Sequence, residues 1–394
     1  MAENFIDNSS VVPYLMKRRT GTIVTGVRLP FISQGDDLAD IVVSHVLDVA
    51  KIEESDVVAI TESIVAISQG NFAPLDSIAK DVELKFGKDR HIGVVFPILS
   101  RNRFAQILKG ISGGAKKITV LLNYPQDEVG NPIMDLKKWN PYNNDAGGQQ
   151  FTGREFREKY GEYVHEFTKI DYIELYESIN DNIEVILSRD PAAILKHTKD
   201  VITADIHGRE MTKAYLLKNG ASKVLTLAEL LNEPDGTRGY NDRYGLLGSN
   251  MFGQDKVKLF PRDCGTFVRT VQDEFFRRTK VRPHVMVYAD GAFRDPVCGI
   301  WELADPVVCP GNTEGLEGSP SEVKLKMVVA GEKDKEAALK RAMENKDMSM
   351  LSLGTTPRQY KDLLGSLADL VSGSGDKGTP VILIQGYFDN LLKE

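Results

Sequence analysis

Short apolar strands alternate with amphipathic helices over most of this 394-residue chain. Near the start, residues 21–29 are predicted to form a strand, and residues 36–49 form a helix whose apolar side chains recur at helical spacing. A short apolar strand at 56–60 follows, and the same rhythm resumes near residue 183. Strands that alternate with helices bury their apolar faces best in layers, so the sequence predicts an α/β fold.

Composition limits the partners that the chain can have. Lysine and arginine number 49 and aspartate and glutamate 56, so the net charge of −7 argues against nucleic acid as the main partner. No apolar run approaches the length of a membrane span. The three cysteines form no CxxC motif, and the first twenty residues lack the order of a secretory signal. We therefore expect a cytoplasmic protein that binds neither membrane nor nucleic acid.

A glycine-rich segment near the C-terminus matches the spacing GxGxxG at Gly373, Gly375 and Gly378. A predicted helix precedes it and a predicted strand follows, which is the reverse of the order in a dinucleotide-binding fingerprint. Closely spaced glycines can instead turn successive backbone N–H groups toward an anion, and Lys377 adds a cation that suits phosphate. The local sequence is equally compatible with a plain turn.

A carboxylate follows the predicted strand at 284–289. Ligands of α/β sheets bind outside the carboxyl ends of the strands, and Mg²⁺ or Mn²⁺ prefers oxygen ligands. Asp290 is therefore a candidate metal ligand, with an ordinary Asp-Gly turn as the alternative. The histidines show no metal-binding spacing, His207 is interpreted as a turn-capping residue, and no serine lies in a nucleophile motif. No catalytic residue is predicted.

Five segments in this order resemble the coenzyme F420-0:L-glutamate ligase family, the γ-glutamyl ligases. They are residues 26–30 with 35–40, 56–63 with 68–70, 244–250, 285–294 and 367–386. The region of about 90–235 does not match the short members and is interpreted as an insertion. The resemblance implies a mixed-sheet α/β fold with an N-terminal part of the ligase core at 1–124, an inserted α/β region at 125–235 and a C-terminal part at 236–394.

The resemblance also implies an activity. Such an enzyme uses GTP, or ATP, with Mg²⁺ or Mn²⁺ to activate an acceptor carboxylate as an acyl phosphate, which the amine of L-glutamate then attacks. The acceptor is a molecule such as coenzyme F420-0 or a folate-like carboxylate, and a homodimer is expected. The alternative is a catalytically altered nucleotide-binding or regulatory protein on the same fold.

The family's nucleotide contacts transfer to Arg28, Leu29, Pro30, Glu62, Ser63, Asn250, Gly373, Ser374, Gly375, Asp376, Lys377, Gly378, Thr379 and Pro380, and a metal ligand transfers to Asp290. Three positions depart from the family pattern. Ile67 replaces a lysine, Gln69 replaces a glutamate, and Leu247 replaces a metal-binding aspartate. Asp242 lies five positions upstream of Leu247 and is the candidate for a substitute metal ligand.

Overall fold

The structure is a computed structural model. It describes residues 20–128, 130–140, 149–166, 168–289, 292–294, 301–303, 308–320, 323–344, 359–372 and 377–389. Asp290, Gly373, Ser374, Gly375 and Asp376 lie outside the described residues.

The described residues contain sixteen strands. They are β1 (Ile23–Val27), β2 (Val57–Thr61), β3 (Phe72–Pro74), β4 (His91–Val95), β5 (Lys117–Leu122), β6 (Phe151–Thr152), β7 (Ile183–Leu187), β8 (Asp200–Thr203), β9 (Lys223–Thr226), β10 (Asn250–Met251), β11 (Lys256–Lys258), β12 (His284–Ala289), β13 (Ala292–Arg294), β14 (Trp301–Leu303), β15 (Val308–Asn312) and β16 (Val381–Gln385).

Eleven α-helices lie in the same ranges. They are α1 (Leu38–Val49), α2 (Glu62–Ser68), α3 (Leu75–Phe86), α4 (Phe104–Gly113), α5 (Gly153–Tyr160), α6 (Tyr172–Glu177), α7 (Arg209–Lys218), α8 (Cys264–Thr279), α9 (Leu325–Val328), α10 (Lys335–Glu344) and α11 (Tyr360–Ser372). Three short 3₁₀ helices cover Leu136–Lys138, Pro191–Lys196 and Leu227–Glu229.

A five-stranded sheet joins the two ends of the chain in the order β1-β16-β2-β12-β15, and we call it the core sheet. Only β2 and β12 pair in parallel, and the other neighbours are antiparallel. Alternate residues of β2 point to opposite faces. Val58 and Ile60 pack with α1 and α8, whereas Val57 and Ala59 pack with α11. The sheet is thus buried on both sides.

A second sheet of six strands has the order β6-β7-β5-β4-β8-β9, and we call it the parallel sheet. All of its strands run in parallel except the short edge strand β6. If the five parallel strands are numbered along the chain, their order across the sheet is 3-2-1-4-5. This is the order of a doubly wound nucleotide-binding sheet. Apolar clusters cover both faces.

One strand of this sheet differs from the sequence expectation. Periodicity favours a helix over 191–204, but only a 3₁₀ turn forms at Pro191–Lys196, and Asp200–Thr203 is strand β8. Val201, Ile202 and Thr203 are β-branched and favour a pleated, buried surface. The strand pairs with β4 and β9 and completes the parallel sheet.

A small sheet, β10-β11-β3, lies between the two larger ones along the chain. Its β10 strand also contacts the parallel-sheet region, because the Met251 N–H donates to the Asn102 carbonyl at 3.1 Å. The buried Asn71 side chain bonds the backbone of Tyr240 and Phe260 and so fastens the connecting segments.

The predicted α/β class is confirmed. The parallel sheet extends from His91 to Thr226 and takes β4 and β5 from the predicted N-terminal part, while the domain boundaries themselves stay a prediction. Across the part of the chain that the structure describes, no helix is both long and apolar enough to cross a membrane.

Candidate active site

One edge of the core sheet collects the ends of strands that are far apart in sequence. In the sheet, Val27 pairs with Val381, Val381 pairs with Ile60, and Ile60 pairs with Val287. The carboxyl ends of β1, β2 and β12 therefore lie beside the beginning of β16. We call residues 28–30, 61–63 and 377–380 at this edge the strand-end site.

Backbone hydrogen bonds connect the segments of the strand-end site. The Leu29 N–H donates to the Gly378 carbonyl at 3.4 Å, and the Thr61 N–H donates to the Pro380 carbonyl at 2.9 Å. The Thr379 hydroxyl donates to the carbonyl of Ser372, the last residue of α11, at 3.1 Å. These contacts join the first and last described parts of the chain.

Two glycines permit this close approach. Gly378 has φ of 63°, a left-handed conformation that a residue with a side chain adopts only at a cost. A Cβ atom at Gly26 would lie 3.0 Å from the Thr379 methyl group. Glycine therefore favours the backbone conformation at position 378 and leaves room for the Thr379 methyl group beside position 26.

A buried ion pair connects the strand-end site to β11. Glu62 begins α2 immediately after β2, where a carboxylate is favoured by the helix dipole. Lys258, at the end of β11, places its Nζ 2.6 and 2.7 Å from the two carboxylate oxygens of Glu62. Both side chains are buried, so each charge depends on the other for its compensation.

Asn250 is brought to the same region by the small sheet. It pairs with Lys258 across β10 and β11 and is half-buried. Ser63 follows Glu62 in the first turn of α2 and is also half-buried. Of the predicted nucleotide contacts, Arg28, Leu29, Pro30, Glu62, Ser63, Asn250, Lys377, Gly378, Thr379 and Pro380 thus lie at or beside one sheet edge.

Among the described residues of the strand-end site, the exposed charges are positive. Arg28 and Lys377 are both exposed and flank the contact between Leu29 and Gly378. Guanidinium and ammonium groups form strong charge-assisted hydrogen bonds with phosphate oxygens. This edge can therefore receive an anion without displacing the buried pair of Glu62 and Lys258.

The described residues do not by themselves form a metal centre. Asp242 is exposed in the turn before β10, and Asp290 lies beyond the described end of β12. Both oxygens of Glu62 already accept from Lys258. Within the described ranges no group of three or more His, Cys, Asp or Glu residues could hold a metal ion. The metal roles of Asp290 and Asp242 stay predictions.

Two of the three positions that the resemblance marks as departures, Gln69 and Leu247, have structural roles of their own. The Gln69 amide donates to the Arg262 carbonyl at 2.7 Å and accepts from the Arg262 N–H at 2.8 Å. Leu247 packs against the apolar core of the parallel-sheet region. Ile67 is half-buried in the last turn of α2. Two of these side chains therefore hold the connecting segments in place.

The two described cysteines do not provide a reactive thiolate. Burial raises the pKa of both the Cys264 and the Cys309 thiol to about 12. A thiol with such a pKa stays protonated near neutral pH and is a poor nucleophile.

Lys258 is the residue of this region that the sequence did not single out. It lies in the run Lys256-Val257-Lys258, and nothing local distinguishes the two lysines. Lys256 stacks over the rings of Phe72 and Phe252, whereas Lys258 turns inward to Glu62. Only the packing of β11 against α2 separates their roles.

Comparison with known proteins supplies the family. No match was found among curated proteins. The family model described as F420-0:Gamma-glutamyl ligase matches residues 26–386, which includes all three segments of the strand-end site. The chain therefore belongs to the F420-0:gamma-glutamyl ligase family and is a ligase.

Proposed function

We propose that this ligase uses GTP or ATP together with Mg²⁺ or Mn²⁺ to form a γ-glutamyl amide bond between L-glutamate and a small carboxylate acceptor. Coenzyme F420-0 and folate-like molecules are the acceptors to test first. One observation carries the proposal. The hydrogen bond between Leu29 and Gly378 brings Arg28 and Lys377 to one edge of the core sheet, where exposed cations suit a triphosphate.

The proposed reaction has two steps. An oxygen of the acceptor carboxylate attacks the terminal phosphorus, the bond to the leaving nucleoside diphosphate breaks, and an acyl phosphate forms. The amine nitrogen of L-glutamate then attacks the acyl carbon and loses a proton as inorganic phosphate leaves. Phosphoryl transfer needs positioning and charge stabilisation more than covalent help from the protein.

The residues of the strand-end site have distinct proposed roles. Arg28 and Lys377 hold the phosphate oxygens, and the 378–380 segment fixes their backbone. Asn250 orients the nucleotide from the neighbouring sheet. The Lys258–Glu62 pair is a positioning element, because it connects α2 to the strand that carries the partner of Asn250.

Asp290 is the proposed ligand of the divalent cation, and Asp242 is the second candidate ligand. A bound divalent cation would neutralise phosphate charge. Chelation with EDTA is expected to abolish amide formation, and Asp290→Asn is expected to reduce it. Full activity of the chelated protein would remove the metal from the proposal.

The deciding experiment detects the amide product by mass spectrometry with each nucleotide, L-glutamate and the two acceptors.

A binding experiment tests the role of Lys377. Lys377→Ala is expected to weaken nucleotide binding about tenfold, because it removes one strong charge-assisted contact. The control is Lys51→Ala, whose exposed side chain lies at the opposite edge of the same sheet. Nucleotide binding without any amide product would favour the regulatory alternative. Light scattering would test the proposed homodimer.

A further inference from the structure

A cavity lies at the carboxyl edge of the parallel sheet, outside the strand-end site. It measures about 320 Å³, within the range of small-molecule pockets. Phe96, Pro97 and Leu99 enter it after β4, and Asp205 and His207 enter it after β8. These two strands are neighbours in the sheet. The strand that follows β4 in the chain, β5, and the strand that follows β8, β9, lie on opposite sides of this pair in the sheet order. Doubly wound sheets bind their ligands at this kind of switch point.

The segment after β4 lacks the glycine-rich loop that holds a pyrophosphate. It reads Phe96-Pro97-Ile98-Leu99-Ser100 before α4 begins at Phe104. The segment after β4 therefore supplies no pyrophosphate loop, and the backbone N–H groups of Ile206 and His207 are already bonded to the Glu128 carboxylate. Recognition of a ligand in this cavity then falls to the side chains that line it.

Those side chains are acidic around an apolar surface. Asp127, Glu128 and Asp205 contribute carboxylates, and His207 is the one basic residue among the described lining residues. The Glu128 carboxylate accepts a hydrogen bond from the backbone N–H of Ile206 at 2.8 Å and another from the backbone N–H of His207. Phe96, Leu99 and Met211 supply apolar surface. Such a lining repels anions and favours a cationic group on an apolar body.

Asp205 lines the cavity and has one carboxylate oxygen without a hydrogen-bond donor among the described residues. The residue is 7% exposed, and its Oδ2 accepts from the Thr212 hydroxyl at 3.0 Å. Its Oδ1 is buried and receives no hydrogen bond from any described residue. A buried carboxylate in this state is costly to ionise, and a cationic group of a ligand beside Asp205 would offset that cost.

A metal ion is a poorer occupant than an amine. Hard divalent cations need several oxygen ligands at once, and no group of three or more suitable residues occurs in the described ranges. Asp205 is also confined on one side, because a Cβ atom at Gly208 would lie only 2.7 Å from its Oδ2. The site has room for one strong donor beside Asp205 and for an apolar group beside Phe96.

We propose that this cavity is a second ligand site, which binds a small primary ammonium compound with an apolar body, the ammonium group donating to Asp205. None of the residues that line the cavity belongs to the strand-end site. An amine-bearing effector and an amine-bearing substrate share this chemistry, and consumption of the compound during turnover distinguishes them.

The test titrates the full chain with three probes that share one aromatic body. Phenethylammonium, 2-phenylethanol and 3-phenylpropionate carry a cationic, a neutral and an anionic head group. Calorimetry at about pH 7.5 is expected to give at least about tenfold tighter binding of the amine than of the alcohol, and no binding of the anion. Equal binding of amine and anion, or a response to Mg²⁺ alone, would overturn the proposal.

Variants locate the binding. Asp205→Asn is expected to weaken the binding of phenethylammonium by about tenfold or more. Asp181→Asn makes the same change at an exposed position before β7, at the other end of the sheet, and is expected to have no effect. Met211→Ala, at an exposed rim position, is expected to weaken binding about threefold without a folding cost. Unchanged amine affinity in Asp205→Asn would refute the site.

Discussion

Lys258 donates to both carboxylate oxygens of Glu62, at 2.6 and 2.7 Å, across 196 positions of sequence. Both residues are buried, with Glu62 5% and Lys258 4% exposed. A buried pair of this kind holds its two side chains in one arrangement. If they separated, each charge would stay buried without a compensating partner. The contact thereby fixes α2 to β11 at the strand-end site.

The first prediction removes one partner. Lys258→Met is expected to lower the free energy of unfolding by about 3–5 kcal/mol, because it leaves a buried carboxylate unpaired. Urea denaturation measures the loss. The double variant Lys258→Met with Glu62→Leu is expected to regain at least half of it, since no unpaired charge remains. A double variant as unstable as the single one would show that the pair is not the source of the loss.

The second prediction concerns the backbone at Gly378. Gly378→Ala is expected to cost about 1–2 kcal/mol, because φ of 63° disfavours a Cβ atom. Gly331 is the matched control, with φ of 78° and likewise no atom within 4 Å of an added Cβ. Both alanine variants should lose similar stability by thermal denaturation, but only Gly378→Ala should weaken nucleotide binding. Equal nucleotide affinity in the two variants would separate the 377–380 segment from the nucleotide.

The third prediction is a pH dependence at Asp205. Burial raises the pKa of this carboxyl from 3.8 to about 6. The folded state then holds the proton more tightly than the unfolded state, so the stabilising contribution is complete below pH 3.8 and is lost as the pH rises through about 6. At about pH 8 the folded protein carries the full cost of a buried carboxylate.

Asp205→Asn is therefore expected to raise the free energy of unfolding by about 1–3 kcal/mol at pH 8 and by much less at pH 5. Melting temperatures at the two pH values measure the difference, with Asp181→Asn as the exposed control. Destabilisation of equal size at both pH values would contradict the assignment. A gain at pH 8 would accord with a carboxylate kept for binding at the expense of stability.

The fourth prediction introduces the glutamate that the resemblance leads us to expect at position 69. The Gln69 side chain both donates to and accepts from the backbone of Arg262. Gln69→Glu loses the donor and faces a carboxylate toward the Arg262 carbonyl, so a loss of about 1–3 kcal/mol is expected. Gln254→Glu, at an exposed position, is the control for added charge. Greater stability of Gln69→Glu in urea would show that the position is adapted to a ligand and not to Arg262.

Local pattern determined the elements that carry strong periodicity. The strand predicted at 284–289 is β12, the strand at 183–187 is β7, and the helix at 360–371 is α11 with one more residue. Collinear motifs determined the family, since the matched region covers residues 26–386. Both kinds of inference succeed because the signal lies within a few neighbouring residues, in side-chain spacing and turn chemistry.

Tertiary structure alone decided what the charged groups do. Residues 191–204 carry apolar spacing compatible with a helix, yet pairing with β4 and β9 makes β8 a strand and creates the switch point beside Asp205. Lys256 and Lys258 are equivalent in sequence, and only the second finds a buried carboxylate. Pairing and burial depend on contacts between segments that are distant in sequence, and such contacts leave no trace in local composition.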